Sequence, residues 1–359
     1  MQVMKIHSSI KDYSITFHDD MSFLNKYFTL SNCMVVIDKI VYDLYFRKNY
    51  PLQNYANIIL LEINEHIKKL ESVQLLYDAA ISFSAKKNLT IISIGGGILQ
   101  DITGFFASTI YRGINWIYVP TTLLAQSDSC MGSKTSLNYK DFKNILGTFY
   151  PPNEIHINTI FLNTLNELDF YSGLGEVIKL HIMGGKELEI SLQNKLKHIL
   201  VRDHVHLNEA VKRSLEIKLS YISKDEFDTG RRNLLNYGHC FGHALESTSD
   251  FDIPHGQAVL IGILLANIVA KNRNILDDKR FSTILNSLVR NSIVVRLSRK
   301  SFSADMVLDA MKKDKKRTGD LLSLIMLTDS NDLIRVNDLK NEEVCEALIK
   351  ISKYIEIKE

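Results

Sequence analysis

The sequence predicts an α/β domain with a mostly parallel sheet, followed by a mainly helical domain. Strand-like and helix-like segments alternate up to about residue 163, which is typical of βαβ units. Residues 188–226 then show long helical periodicity and contain no glycine. The chain has 359 residues, which is long for one core and comfortable for two. We therefore expect one domain at residues 1–163 and a second at residues 164–359.

The predicted elements of the first domain follow one another in order. Apolar or β-branched runs predict buried strands at residues 33–38, 57–63, 89–94 and 116–120. Apolar residues at helical spacing predict helices at residues 66–85 and 98–110. The tight turn YPP (150–152) and the segment FLNTLNELDF (161–170) mark the join, and the later segments continue the helical pattern.

Composition and charge exclude several classes of protein. Hydrophobic content is 45%, charged content is 23% and the net charge is +2, so bulk charge indicates neither a nucleic acid nor an anionic membrane as partner. The four cysteines are widely spaced without a CxxC pair, and the N-terminus lacks an apolar signal core. The longest apolar run (258–270) has 13 residues, whereas a membrane span needs about 20. We expect a cytoplasmic protein in which this run is a buried helix.

A glycine turn follows one of the predicted strands. SIGGGILQD places Gly95, Gly96 and Gly97 between a buried strand and a helix, where backbone can approach a phosphate and the helix N-terminus supplies free N–H groups. This is not the GxGxxG fingerprint, and a tight strand–helix turn explains it equally well. Thr121 and Thr122 directly follow another strand, and two such strand ends favour a nucleotide crevice.

Several cations lie in glycine-bounded or apolar segments, where a solvated surface is an unusual explanation. They are Lys134, Lys140, Lys143, Lys179, Lys218 and Arg232. Surface solubility explains any one of them but explains the set less well. A pocket for a small substrate that carries phosphate and carboxylate groups would need such charges.

Two histidines, His239 and His243, lie four residues apart in NYGHCFGHALE, so both rings can share one helix face. Position 240 is Cys, so the HExxH zinc-protease pattern is absent. His255 and Glu176, the latter in an apolar helix, could complete a Glu/His/His zinc site with an open position. From these residues alone, core or hydrogen-bonding histidines remain an equal alternative.

Together these motifs resemble the 3-dehydroquinate synthase family, within the sugar phosphate cyclases. The resemblance runs from about residue 35 to about residue 317 and rests on GGGILQDITGFFASTIYRG, VPTTLLAQSDS, GSKT…KN, GEVIK, RRNLLNYGHCFGHALE and HGQAV, in order and with matching spacing. It implies a Rossmann-like N-terminal domain, a helical metal-binding domain and a homodimer. It also implies NAD and a divalent metal, zinc or cobalt, as cofactors.

The resemblance assigns residues to four roles. It implies that the metal ligands are Glu176, His239 and His255. It implies an NAD site formed by Asp38, Glu65, Lys68, Gly95, Gly96, Gly97, Asp101, Thr121, Thr122 and Lys143. It implies substrate contacts from Arg112, Asp128, Lys134, Asn144, Lys179, Lys218, Arg232, Asn236, His243 and either Lys315 or Lys316. It implies that the catalytic residues are His243, Asp228, Lys179 and Lys134.

The implied reaction converts 3-deoxy-D-arabino-heptulosonate 7-phosphate, a seven-carbon sugar-acid phosphate, to 3-dehydroquinate and phosphate. NAD would remove a hydride and later return it, so that the net redox change is zero, and the metal would act as a Lewis acid. The temporary ketone would acidify the adjacent C–H, so phosphate could leave by β-elimination before an intramolecular aldol closes the carbocycle. The cations would hold the anionic groups and stabilise developing negative charge.

Four residues depart from the family pattern. Ser133 stands in GSKT for the usual GGKT, Gln257 stands in HGQ for HGE, and Ile40 replaces an asparagine. Asp228 replaces a glutamate, which keeps the acid–base chemistry but shortens its reach by roughly one methylene. A cyclase for sedoheptulose 7-phosphate or glucose 6-phosphate therefore stays open. A metal-dependent polyol dehydrogenase and an inactive sugar-phosphate binder are further alternatives, and Glu176 with the lysine set opposes the dehydrogenase.

Overall fold

The computed structural model describes residues 2–30, 32–48, 57–140, 142–313 and 322–358. The chain divides into two compact units, Met1–Leu165 with Ile222–Phe227 and Asn166–Tyr221 with Asp228–Glu359. The first unit contains a mostly parallel sheet and the second is mainly helical, so the predicted fold class is confirmed. No helix in the described part of the chain is long and apolar enough to cross a membrane.

The first unit is built around a sheet. Its strands are β1 (Gln2–Ile6), β2 (Tyr13–Phe17), β3 (Cys33–Asp38), β4 (Ile58–Leu61), β5 (Thr90–Gly95), β6 (Asn115–Pro120), β7 (Lys134–Tyr139), β8 (Phe142–Phe149) and β9 (Glu154–Ile157). Seven of them form one sheet in the order β1-β2-β9-β6-β5-β3-β4, in which β1 and β2 are antiparallel and the other pairs are parallel. Strands β7 and β8 form a separate antiparallel hairpin, and neither antiparallel pair is predicted from the sequence.

Both faces of the central sheet are covered, which explains its continuous apolar runs. Successive residues of β3, such as Val36 and Ile37, point to opposite faces, and both are fully buried. The helices of this unit are α1 (Asn25–Phe28), α2 (Lys39–Val41), α3 (Leu70–Ser82) and α4 (Gly97–Thr109). Because β3, β5 and β6 are parallel neighbours in register, their carboxyl ends lie at one edge of the sheet.

The second unit consists of helices and one small sheet. Its helices are α5 (Glu167–Met183), α6 (Lys186–Leu200), α7 (His204–Ile222), α8 (His239–Thr248), α9 (His255–Asn272), α10 (Asp278–Ile284), α11 (Ala304–Lys313) and α12 (Asn341–Lys350). The expectation that the helical pattern continues is wrong at β10 (Leu322–Leu327) and β11 (Leu333–Leu339), which pair antiparallel. The two runs gain stability as strands from their cross-strand pairing.

Helix α9 forms the core of the second unit. Every residue from Gly256 to Ala270 is buried, so the predicted buried helix is confirmed. A helix that is apolar on all sides must be covered on all sides, and α5, α8, α12 and β10 pack against it. Its first residue, His255, therefore lies at the N-terminus of a helix that is held in place by packing on all sides.

Candidate metal centre and cofactor-binding edge

Three helices of the second unit approach one another closely through glycine. A Cβ added at Gly175 in α5 would lie 2.1 Å from the carbonyl oxygen of Gly256 in α9. Gly238, which precedes α8 with φ +81°, has similarly little room, since a Cβ there would lie 2.6 Å from the carbonyl oxygen of Val259. Each glycine is the sequence neighbour of one predicted metal ligand, and these ligands are Glu176, His255 and His239.

The close helix packing brings the three predicted ligands together. Their ligand atoms lie within 4.8 Å of one another. Oε1 of Glu176 is 3.6 Å from Nε2 of His239 and 3.3 Å from Nε2 of His255. Two ligands that share a tetrahedral zinc ion at about 2.0–2.2 Å lie about 3.4 Å apart. The spacing therefore fits a divalent ion with three protein ligands and an open fourth position.

Glu176 carries the buried negative charge of this cluster. Burial would raise the pKa of its carboxyl group, but the ammonium of Lys179, which forms an ion pair with it, and the two histidines hold that pKa well below its usual value. The ammonium of Lys179 and Nε2 of both histidines contact the two carboxylate oxygens. An ionised, fully buried carboxylate with such contacts is well suited to a divalent cation.

Hydrogen bonds orient both imidazole rings. Nδ1 of His239 lies 3.2 Å from the carbonyl oxygen of Tyr237, and Nδ1 of His255 lies 3.3 Å from Oε1 of Glu246. Each ring thereby presents Nε2 to Glu176, the orientation that a shared ion needs. Burial lowers the pKa of His239 well below its usual value. Burial would also lower the pKa of His255, but hydrogen bonds to the two glutamates outweigh it and raise that pKa to about 10.

His243 lies next to this cluster. Its ring centroid is 5.2 Å from that of His239 and 6.0 Å from that of His255. His243, Glu246 and His255 form a second group of metal-binding type, with ligand atoms within 4.8 Å of one another. Because His255 belongs to both groups, geometry alone leaves the role of His243 open, and its predicted substrate contact stays a prediction.

The cations predicted to bind substrate in the second unit are buried. The exposed fractions of Lys179, Lys218 and Arg232 are 2%, 7% and 5%, and Asn236 is half-buried. Buried charges require charged or strongly polar partners. This unit therefore offers buried positive charge of the kind that an anionic substrate requires.

The carboxyl ends of β3, β5 and β6 in the first unit form the predicted nucleotide edge. The amide of Thr121 donates a hydrogen bond to the carbonyl of Gly95 at 3.0 Å, which joins two of these strand ends. At the end of β3, the Asp38 carboxylate accepts a hydrogen bond from the backbone amide of Ile40 at 2.9 Å. Burial raises the pKa of Asp38.

Helix α4 begins at this edge without a side-chain cap. A Cβ added at Gly96 would lie 3.1 Å from Cγ2 of Thr122, which is tight. A Cβ at Gly97 would make only an ordinary contact, at 3.4 Å, with Oγ of Ser129. Packing within the protein therefore does not require Gly97. Uncapped N–H groups at the start of a helix are suited to a phosphate of a dinucleotide.

A polar network joins three predicted site residues of the first unit. The ammonium of buried Lys68 lies 2.5 Å from the Asp101 carboxylate and 2.6 Å from Oδ1 of Asn144. Asp101 accepts hydrogen bonds from the amide of Ser136 at 2.9 Å and from its hydroxyl at 3.1 Å. Burial raises the pKa of Asp101, and Lys68 and Ser136 oppose that rise. Two residues predicted to bind NAD and one residue predicted to contact the substrate thus lie together at the β7–β8 hairpin.

Asn138 extends this network to two further predicted NAD residues. Its amide donates to Oε1 of Glu65 at 2.8 Å, and Nζ of Lys143 lies 3.9 Å from the same oxygen. Oδ1 of Asn138 accepts a hydrogen bond from the amide of Asn144 at 2.9 Å. Asn138 therefore holds both Glu65 and Asn144, and Lys143 lies beside Glu65.

The remaining predicted substrate residues of the first unit lie nearer the surface. Arg112 and Lys134 are exposed, and Asp128 is half-buried. Lys315 and Lys316 lie outside the described residues, so their assignment stays a prediction.

Gln257 departs from the family pattern for a structural reason. Its buried amide donates hydrogen bonds to the carbonyl oxygens of Tyr171 at 3.0 Å and Ser292 at 2.9 Å, and accepts one from the amide of Val294 at 2.9 Å. A glutamate could not donate to both carbonyls. Gln257 therefore anchors the start of α9 and does not join the ligand set.

The other departures lie in different surroundings. Ser133, with φ +65°, donates a hydrogen bond at 3.1 Å to Glu226, which also accepts one from the amide of Ser9 at 2.7 Å. Ile40 is exposed. Asp228 is half-buried with φ +61°, in the left-handed region that favours glycine.

The sequence did not predict the roles of Glu246, Ser136 and Asn138. A signal for Glu246 exists, because it follows His243 by three residues and His239 by seven and so shares their helix face. Ser136 and Asn138 gave no comparable signal, since their contacts depend on how the β7–β8 hairpin is placed.

Solved structures share this fold. A 2-deoxy-scyllo-inosose synthase, solved with carbaglucose-6-phosphate, NAD+ and Co2+, has a TM-score of 0.85 at 22% identity, over 97% of this chain and 99% of that chain. A 2-epi-5-epi-valiolone synthase from Streptomyces hygroscopicus subsp. jinggangensis, solved with NAD+ and Zn2+, has a TM-score of 0.83 at 23% identity, over 95% of this chain and 97% of that chain. This chain therefore has the same fold as these two synthases.

Sequence comparison identifies the family. Residues 58–172 match the profile described as 3-dehydroquinate synthase N-terminal, and residues 173–317 match 3-dehydroquinate synthase C-terminal. A 3-dehydroquinate synthase of Streptococcus pyogenes is 33% identical over 341 residues, which cover 92% of this chain and 93% of that protein. The chain belongs to the 3-dehydroquinate synthase family, and the resemblance seen in the sequence is confirmed.

Proposed function

We propose that this protein is a lyase that uses NAD and a divalent metal to convert 3-deoxy-D-arabino-heptulosonate 7-phosphate to 3-dehydroquinate and phosphate. This reaction belongs to the shikimate pathway of aromatic amino acid biosynthesis. The observation that carries the proposal is the cluster of Glu176, His239 and His255 beside buried Lys179, in a chain of this family. We further propose a cytoplasmic homodimer.

The two parts of the chain would divide the work. Residues 1–163 would bind NAD, with its phosphates near Gly96 and Gly97 and its remaining contacts among the predicted residues of the first unit. Residues 164–359 would hold the metal and most of the substrate. Zinc or cobalt suits a Glu/His/His set, and the two structural relatives were solved with Zn2+ and Co2+.

When bound, NAD would supply a reversible hydride acceptor and the ion would supply a Lewis acid. The residues of the chain would do the rest. Lys179 and Lys218 would hold anionic groups of the substrate, and the planar guanidinium of Arg232 would suit its carboxylate. His243 and Asp228 would move protons. Burial of the cations would strengthen each of these contacts by excluding water.

A phosphate-release assay over a small panel of sugar phosphates tests the proposal. Metal-loaded protein with NAD should release phosphate from the heptulosonate phosphate and form 3-dehydroquinate, identified by NMR. Lys218→Met should impair turnover, whereas Lys353→Met, which changes an exposed lysine, should match the wild type. Failure of the metal-replete wild type to release phosphate would contradict the proposed substrate.

A cyclase for another sugar phosphate is the second candidate. Asp228, with its shorter reach, favours it, whereas Ser133 and Gln257 do not because both side chains have structural partners. Turnover of sedoheptulose 7-phosphate or glucose 6-phosphate in the same panel would support this alternative, and inertness of both would remove it. Stoichiometric NADH accumulation with a simple alcohol would instead indicate a polyol dehydrogenase.

A further inference from the structure

Glu246 contacts the far side of one predicted metal ligand. The His255 ring lies between two carboxylates, with Nε2 at 3.3 Å from Oε1 of Glu176 and Nδ1 at 3.3 Å from Oε1 of Glu246. A carboxylate can only accept at Nδ1, so it fixes the proton there and leaves the Nε2 lone pair for an ion. The Glu246 side chain is only 15% exposed, so little water competes for this contact.

His255 needs this contact more than His239 does. The side chain of His255 is 34% exposed, whereas that of His239 is 12% exposed. Packing therefore restrains the His255 ring less, and a hydrogen bond must supply the orientation. The corresponding partner of His239 is the neutral backbone carbonyl of Tyr237, at 3.2 Å.

The charges around the cluster give Glu246 a second role. Lys179 forms an ion pair with Glu176 and cancels the charge of the one carboxylate among the three ligands. With both histidines neutral, the ligand set and this lysine together carry no net charge toward a dication. The carboxylate of Glu246 restores one negative charge, separated from the ligand set only by the His255 ring.

We propose that Glu246 is a positioning residue for the metal centre: it orients His255 and supplies the negative charge that Lys179 cancels. This inference rests on the proposed metal site of Glu176, His239 and His255. It assigns Glu246 no direct contact with the ion or the substrate. Outer partners of this kind change metal affinity by about 10–100-fold.

Two substitutions separate the hydrogen bond from the charge. Glu246→Gln keeps an oxygen that can accept from Nδ1 but removes the charge, whereas Glu246→Met removes both. Glu246→Asp keeps the charge with a shorter reach. Glu342→Gln, on the exposed start of α12, is the matched control for the loss of one negative charge. Thermal melts of the metal-free proteins show whether each variant is folded.

The measurement is the affinity of the metal-stripped protein for Zn2+, by competition with a chromophoric chelator, together with the visible spectrum of the Co2+-loaded protein. We expect affinity to fall in the order wild type, Glu246→Gln, Glu246→Met, by about 10–100-fold overall, with Glu246→Asp above Glu246→Met. The Co2+ spectrum should change most in Glu246→Met. The control should bind like the wild type.

Several outcomes would overturn the inference. If folded Glu246→Met binds Zn2+ within twofold of the wild-type affinity, the contact between Glu246 and His255 does not contribute to metal binding. Two ions per wild-type chain and one in Glu246→Gln, at unchanged affinity, would make Glu246 a ligand of a second ion with His243 and His255. Glu176→Gln separates the two proposals, since unchanged affinity in that variant would refute the metal site itself.

Discussion

The two candidate sites of this protein are built by different means, and glycine shows the difference. In the second unit, a Cβ at Gly175 would lie 2.1 Å from a backbone oxygen, so the glycine is required by helix packing. In the first unit, a Cβ at Gly97 would meet its nearest neighbour at an ordinary 3.4 Å, so packing does not require the glycine. Packing requires the glycine in the second unit and does not require it in the first.

The predicted substrate cations also differ between the two units, in their exposure to solvent. The predicted substrate cations Lys179 and Arg232 of the second unit are buried, whereas Arg112 and Lys134 of the first unit are exposed. A buried cation interacts more strongly with an anion than an exposed one, because water screens it less. The second unit therefore holds its predicted substrate cations away from water, whereas the first unit presents uncapped backbone N–H groups at the start of α4.

The largest expected effect is loss of the metal site. Glu176→Gln should reduce Zn2+ affinity and turnover by about 10³-fold or more, which corresponds to about 4 kcal/mol, because a charged ligand is lost and Lys179 is left without its buried anion. Glu167→Gln, on the exposed first turn of the same helix, is the control. Wild-type metal content in Glu176→Gln, measured by mass spectrometry, would contradict this assignment.

The glycine contrast predicts opposite results from the same substitution. Gly175→Ala should destabilise the protein by about 3 kcal/mol, because α5 and α9 must separate, and should weaken metal binding as well. Gly97→Ala should change stability by less than about 1 kcal/mol but weaken NAD binding, since its methyl group would occupy the space for a phosphate. Urea unfolding and calorimetry with NAD measure both effects. Wild-type NAD affinity in Gly97→Ala would contradict the expected difference between Gly97 and Gly175.

A fall in pH should lower the stability of the protein more through a buried histidine of the second unit than through a partly exposed histidine of the first unit. Burial lowers the pKa of His181 to about 4, and burial followed by repulsion from His156 lowers that of His18 to about 4. As the pH falls from about 6.5 to 4, the unfolded chain takes up protons that the folded protein does not, so stability falls.

For His181 the expected loss across this pH range is up to about 3 kcal/mol, and for His18 it is smaller because solvent screens its ring. His181→Gln should therefore flatten the dependence of the unfolding free energy on pH more than His18→Gln does. Urea titrations at several pH values test this order, and equal slopes in wild type and His181→Gln would contradict it.

The smallest effect is expected at a departure from the family pattern. Ser133→Gly removes a hydrogen bond to Glu226 but relieves a φ of +65°. The two changes oppose each other, so stability should stay within about 1 kcal/mol of the wild type. Thermal melts and KM for the sugar phosphate measure this. A much larger change in KM would mean that Ser133 has a role in substrate selection.

The sequence predicted the fold class because its signals are local, whereas the members of the candidate metal cluster were assigned through the family resemblance. Buried parallel strands have continuous apolar runs, and Glu176 is conspicuous as an acid in an apolar helix. The bond between His255 and Glu246 was not predictable in this way, because it joins two helices whose packing is set by glycine contacts.

Other features also depended on distant parts of the chain. The runs at β10 and β11 are short, and their pairing with each other makes them strands. The network of Lys68, Asp101 and Ser136 requires the β7–β8 hairpin to lie against α4. Composition and periodicity contain no information on how distant segments pack together. The sequence therefore predicted several residues of this network but not their hydrogen-bond partners.

Helix α9 gives metal loading a thermodynamic consequence for the whole second unit. Its first residue is a predicted ligand, and its following residues form the core. An ion held by His255 therefore binds the folded core and not the unfolded chain, so its binding free energy adds to the stability of that core. Metal starvation would then lower the amount of folded protein as well as its activity, and a chelator would act as a mild denaturant.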